Sequence, residues 1–146
     1  GTRDDHVGAP GPRPFDQRYV SDPLRATRTG PREPHHQVWL RADGSLADDP
    51  LLHACMVAYA SDMTLLDTVL RRHGMAMGRD RVQLASLDHA MWFHAPFRAD
   101  EWFLYDQESP WAGKGRGIGH GAIYSTDGTL VVSVVQEGLL RVASEI

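Results

Sequence analysis

From residue 82 onward, apolar and polar side chains alternate with the two-residue period of strands that bury one face. The pattern predicts strands over residues 82–94, 101–107, 119–125 and 130–142, separated by Pro96, by a glycine-rich run and by the Thr126-Asp127-Gly128 turn. An earlier short strand is predicted to start at Gln37 and run to Leu40, followed by the turn Ala42-Asp43-Gly44-Ser45. Residues 50–60 obey a different rule. Leu51, Leu52, Ala54, Cys55, Met56, Val57, Ala58, Tyr59 and Ala60 leave a helix apolar nearly all the way round, which predicts burial on every side. Asp48-Asp49-Pro50 opens that helix with an acidic cap and a proline where a missing N–H costs little. Ser61-Asp62 interrupts it, and a second helical piece over 63–73 is closed by Gly74. One wholly apolar helix followed by a run of strands predicts an α+β fold, with an antiparallel sheet wrapped around the helix.

Residues 1–34 carry most of the prolines, several arginines and few aliphatic side chains. They read as an extended linker or arm, with Phe15, Tyr19 and Val20 as docking points, ahead of a domain over 35–146. The start, Gly1-Thr2-Arg3-Asp4, has no methionine, so the chain reads as beginning inside a longer protein.

Composition narrows the partners. Fifteen Lys and Arg against nineteen Asp and Glu give a net charge of −4, which argues against nucleic acid on a basic face. No apolar run approaches the roughly 20 residues of a membrane helix, so no membrane span is expected. A single cysteine, Cys55, excludes a disulfide framework and suits a reducing cytoplasm, and its place in the apolar helix predicts an inert thiol. The histidines have no spacing that compels a metal.

Two polar side chains stand out in the strands. Gln136 lies in the otherwise apolar row Leu130, Val132, Val134, Gln136, Gly138 and Leu140, whereas Glu137 lies in the solvated row. Asp88 sits among apolar neighbours and, on an uninterrupted strand, shares a row with Ser86, Ala90, Trp92 and His94, so it diverges from His89. A carboxylate there costs several kcal/mol unless it is partnered, which makes it a candidate for holding and polarising a water. The run Gly113-Lys114-Gly115-Arg116-Gly117-Ile118-Gly119-His120-Gly121 matches neither a dinucleotide fingerprint nor a phosphate loop, and predicts a bent or bulged sheet segment. Trp39, Trp92, Trp102 and Trp111, with Phe93, Phe97 and Phe103, are expected to build the core.

The wording Leu87-Asp88-His89-Ala90-Met91-Trp92-Phe93-His94, followed by Phe97, Trp102, Tyr105, Glu108-Ser109 and Val135-Gln136-Glu137-Gly138, resembles the C-terminal half of acyl-CoA thioesterase II. That family consists of double hot-dog hydrolases that cleave fatty acyl-CoA to free acid and CoA. Over residues 14–142 the resemblance implies a hot-dog fold, and a site in which an Asp, a Thr and a Gln hold the nucleophilic water, without cofactor or metal. By motif, Asp88 and Gln136 match the Asp and the Gln. The Thr falls on Pro110, leaving Ser109 as the nearest hydroxyl. Lys114 and Arg116 are candidates for contacting CoA phosphates. The resemblance also implies a partner, either an N-terminal hot-dog half or a second copy of the chain, and hence an oligomer. The competing reading is a non-catalytic hot-dog half that binds acyl-CoA or serves as structure.

Overall fold

The computed structural model describes residues 13–20, 30–75 and 82–142. The strands are β1 (Phe15–Tyr19), β2 (His35–Ala42), β3 (Val82–Ser86), β4 (Ala90–Phe93), β5 (Phe103–Gly113), β6 (Arg116–Ser125) and β7 (Leu130–Val142). All pair antiparallel in one sheet of order β1-β2-β5-β6-β7-β3, with β4 also on β7. The helices are α1 (Pro50–Ser61) and α2 (Asp67–Arg72), joined by a turn through residues 62–66. Asp49 caps α1 by accepting the Leu51 N–H at 2.9 Å, ahead of Pro50. Val57, Ala60 and Leu65 from the helical layer form one buried cluster with Phe15, Val38, Leu40, Phe103, Tyr105, Ile123, Val132 and Val134 from the sheet. This is the hot-dog arrangement, a sheet curled about one helix.

Four expectations need correction. First, α1 is not covered on every side: Val57 and Ala60 are buried, but Leu51 is 70% and Tyr59 60% exposed. Cys55 is exposed with them, so its thiol is not walled off. Only one stripe of an apolar helix can face a single sheet, and among the described residues nothing covers Leu51 and Tyr59 on the other. Second, the arm contributes a strand: Phe15 is buried and β1 pairs with β2 from Phe15↔Ala42 to Tyr19↔Val38, while Val20 stays exposed. Much of the remaining arm lies outside the described residues. Third, no tryptophan enters the buried core. Trp92 and Trp111 are exposed, and Trp102 lies under the guanidinium groups of Arg18 and Arg41. Of Phe93, Phe97 and Phe103, only Phe103 is buried; Phe93 is exposed and stacks on Phe97.

Fourth, the long strand expected over 82–94 is two strands. Ser86 is opposite Gly138, whereas Ala90 is opposite Val135, so one extra residue lies between them and the ladder bulges. The bulge changes which parity faces the helices. On β3 the even residues Val82 and Leu84 pack inward against Leu70; on β4 the odd residue Met91 packs into the main core.

The glycine run resolves into a hairpin. Lys114 and Gly115, both at positive φ, make the β5–β6 turn. Gly117, Gly119 and Gly121 then form the inward row of β6, beneath Val69, Leu65 and the Tyr105 ring respectively. Those glycines let the helical layer approach the sheet closely. The bulge expected in this region falls on β5 instead, between Glu108 and Trp111, where Pro110 has no ladder N–H to give.

Candidate active site

Gln136 is completely buried on β7, as its row predicts. A buried amide requires partners. It finds them on two other elements: Nε2 donates to Oδ1 of Asp62 at 2.6 Å and to Oγ of Ser86 at 2.7 Å. Asp62 is the C-cap of α1, and Ser86 is the last residue of β3. A carboxylate, a hydroxyl and an amide therefore meet at one point. The Asp62 side chain is 58% exposed and Ser86 is exposed, so the two groups open outward with the amide fixed behind them.

The turn that carries Asp62 is held from below. Tyr105 Oη donates to the Ser61 carbonyl at 2.8 Å. Thr64 Oγ1 donates to Oε1 of the buried Gln107 at 2.8 Å. Burial first, and the Asp62 charge second, push the Tyr105 phenol well above its usual pKa, so it remains a donor. Sheet side chains thus fix the turn on both sides of Asp62.

His89, within the bulge, also faces this turn. Its Nε2 lies 2.8 Å from Ser61 Oγ and its Nδ1 3.9 Å from Asp62 Oδ1.

The residues singled out from the sequence are distributed differently. Asp88 is exposed, and its Oδ1 accepts the backbone N–H of Glu137 at 2.8 Å. It fills a hydrogen bond that the bulge takes from the ladder and is not joined to Gln136. Ser109 is buried in the β5 bulge, where its hydroxyl points to the Trp111 carbonyl at 3.4 Å and its N–H to the Pro34 carbonyl at 2.8 Å. Lys114 is exposed at the hairpin tip, and Arg116 pairs with Glu137 at 2.9 Å. Of the five sequence candidates, only Gln136 lies in the cluster. Asp62 and Ser86, which complete the cluster around Gln136, were not singled out from the sequence. The available signals were weak: a carboxylate directly ending an apolar helix, and a hydroxyl two residues before Asp88 in the even row.

The family model for acyl-CoA thioesterase matches residues 13–139. The chain is 44% identical to mouse acyl-coenzyme A thioesterase 8 over 129 residues, which is 87% of the chain and 39% of that relative. It is 36% identical to acyl-CoA thioesterase 2 of Haemophilus influenzae over 88% of the chain and 45% of the relative. The chain thus spans less than half the length of these curated relatives. A crystal structure of acyl-CoA thioesterase II TesB2 from Mycobacterium marinum superimposes with a TM-score of 0.75 at 44% identity, covering 99% of this chain and 59% of that one. A hypothetical thioesterase protein from Streptococcus pneumoniae solved with coenzyme A shares the fold at a TM-score of 0.62 and 10% identity.

Proposed function

Because this chain belongs to the acyl-CoA thioesterase family, we propose that it hydrolyses fatty acyl-CoA to free fatty acid and CoA, by direct attack of a water held between Asp62 and Ser86. The observation that carries the reading is the buried Gln136 amide, which draws a carboxylate and a hydroxyl from two other elements to 2.6 and 2.7 Å. With one carboxylate oxygen bound by Gln136, the other accepts a proton of the water. Ser86 has accepted from Gln136, so its own O–H is left to donate to the water oxygen. The oriented water adds to the thioester carbonyl carbon while Asp62 takes its proton. The tetrahedral species then collapses, the C–S bond breaks, and the sulfur leaves with the electron pair and regains a proton. No covalent enzyme intermediate and no cofactor are needed. At the β5–β6 hairpin, Lys114 and Arg116 are assigned to the CoA phosphates. Exposed Cys55 suits a cytoplasmic setting.

Serine substitutions separate the two hydroxyls. Ser86→Ala should lower kcat for acyl-CoA hydrolysis at least tenfold, the rate equivalent of about 1.4 kcal/mol, with a smaller change in KM. Ser109→Ala should leave kcat within about twofold, because its hydroxyl only closes the β5 bulge. Steady-state kinetics on both variants decide this, and the reverse order would move the hydroxyl role to Ser109.

The reading includes a partner. The outer stripe of α1 exposes Leu51 and Tyr59, and the β3–β4 edge exposes Leu87 and Trp92. An uncovered apolar face and an open edge invite a second sheet. A second hot-dog half, either an N-terminal half in the same polypeptide or another copy of the chain, is assigned to that side, with the acyl-CoA pocket at the seam. Sedimentation of the chain alone should show self-association or a weakly active monomer. A stable monomer with full turnover would refute the pairing.

A further inference from the structure

A cavity of about 590 Å³ opens at the N-terminal end of α1, at the other end of the helix from the Gln136 cluster. Its size falls within the range of small-ligand pockets. Pro50, Ala54, Phe93, Ala95, Pro96 and Phe97 make its apolar wall, with the Phe93 and Phe97 rings stacked at 6.3 Å. The polar side chains on the wall are turned to other partners. His53 places Nε2 3.0 Å from the Ala47 carbonyl, and its Nδ1 accepts the Ala99 N–H at 3.0 Å. Arg98 donates from all three guanidinium nitrogens, to Asp48, Asp100 and the Leu46 carbonyl. His94 Nε2 lies 2.8 Å from Ser133 Oγ. The cavity therefore offers a ligand carbon surface, and one guanidinium held between two carboxylates does not attract a phosphate.

We infer that this cavity takes the far end of the fatty acyl tail, a role that rests on thioester cleavage at Gln136 and not on which group activates the water. Two rulers set the distance. Along β7, Gln136 is four residues from Val132, whose partner on β4 is Phe93, a span of about 13 Å. Along α1, Ala54 and Ala58 lie on one helix face with the cap residue Asp62, and eight residues rise about 12 Å. The two agree, and both correspond to roughly ten carbons of extended chain. Phe93 pairs with the buried Val132, so it shares the helix side of the sheet with Gln136. The direction of the substrate follows from what lies at each end. The hairpin assigned to the CoA phosphates borders β7 at Leu139 and Leu140, on the other side of Gln136 from Phe93. A thioester laid along that line has CoA at the hairpin, its carbonyl at Gln136, and its tail against Ala58, Ala54 and the two phenylalanines. Only tails longer than about ten carbons enter the cavity.

A chain-length series tests this in the full polypeptide, with acyl-CoA substrates from octanoyl to hexadecanoyl held below their micelle concentrations. For the unsubstituted protein, kcat/KM should rise once the tail exceeds about ten carbons, by up to about fourfold per buried methylene. Ala54→Phe fills the cavity from the helix side. It should lower kcat/KM for hexadecanoyl-CoA at least about tenfold, mostly through KM, and leave octanoyl-CoA within about twofold. Phe93→Ala, at a 49% exposed position on the strand side, should flatten the same profile, so the result does not depend on one variant folding well. Octanoyl-CoA is the control for the fold, since a folding defect cuts every length alike. If both variants keep a profile parallel to that of the unsubstituted protein, the tail does not enter the cavity and the role is overturned, whether or not another segment of the polypeptide fills it. If the unsubstituted protein cleaves no acyl-CoA of any length, the thioesterase reading falls and this role falls with it; if it cleaves all lengths alike, only the cavity role is lost.

Discussion

Asp62→Asn should reduce acyl-CoA turnover by a factor of about 10² to 10⁴, the ordinary cost of removing a positioned general base. The fold should persist. The side chain is 58% exposed, and the Asn carbonyl oxygen can still accept the Gln136 N–H that Asp62 Oδ1 accepts at 2.6 Å. The substitution therefore removes the base and keeps the geometry, so kcat should collapse with little change in Tm. Asp88→Asn is the matched control. Its amide oxygen can still take the Glu137 N–H, and turnover should stay within about twofold. Kinetics on the two variants under one set of conditions are sufficient. If Asp88→Asn proved the dead variant, the proposed base would have to move from the helix end to the bulge.

Gly121→Ala should be among the most destabilising methyl groups that can be added to this chain. The new Cβ would lie 2.4 Å from Tyr105 Cε2 and 2.9 Å from its hydroxyl oxygen. The ring has nowhere to go: Tyr105 is 0% exposed, and its hydroxyl is anchored to the Ser61 carbonyl at 2.8 Å. Overpacking a core costs 1–3 kcal/mol, and breaking a buried hydrogen bond adds about 1 kcal/mol, so about 3 kcal/mol is expected. For a domain of this size that corresponds to a Tm lower by about 6–12 °C. Turnover should fall as well, because the displaced hydroxyl holds the residue next to Asp62. A melting curve within 1 °C of the unsubstituted chain would show that the ring has more freedom than its contacts imply.

These two positions also show where the sequence was readable. A glycine in every second position of one stretch suggested a bent or bulged sheet segment, and only the three-dimensional register reveals which side chain lies over each. Gln136 was legible because β7 keeps one register against β6 from Val132 to Leu139, so one polar member of the buried row was unambiguous. The cap of α1 was legible for a similar reason, since Asp49 and Pro50 act locally. Asp88 was placed on a strand taken as continuous, and the bulge changes its surroundings. With the alternation running straight through residues 87–89, a carboxylate beside Leu87 looked costly and therefore purposeful; with the bulge, it is a solvated acceptor for one displaced N–H. Ser109 lies at a second such break, on β5, where Pro110 interrupts the register. Asp62 could not be identified by periodicity at all, since it ends a helix and reaches its partners only through the tertiary fold. The exposed stripe of α1 was likewise invisible, because an all-apolar helix reads the same whether its cover comes from its own chain or from another.

The bulge between Ser86 and Ala90 has a consequence for how this chain can change length. Ser86 and His89 are three positions apart, a step that puts side chains on opposite faces of a regular strand, yet both point at the end of α1, through Gln136 and Ser61 respectively. Only the extra residue reconciles those two facts. Flattening the bulge at constant length would slide β4 by one residue along β7 and turn the imidazole to the opposite surface of the sheet, with composition and charge unchanged. Deleting the extra residue together with the bulge would leave the two side chains two positions apart on one face. Lineages derived from this chain should therefore keep or lose the extra residue and the bulge together, while exposed connections such as Ser125–Thr129 vary freely in length.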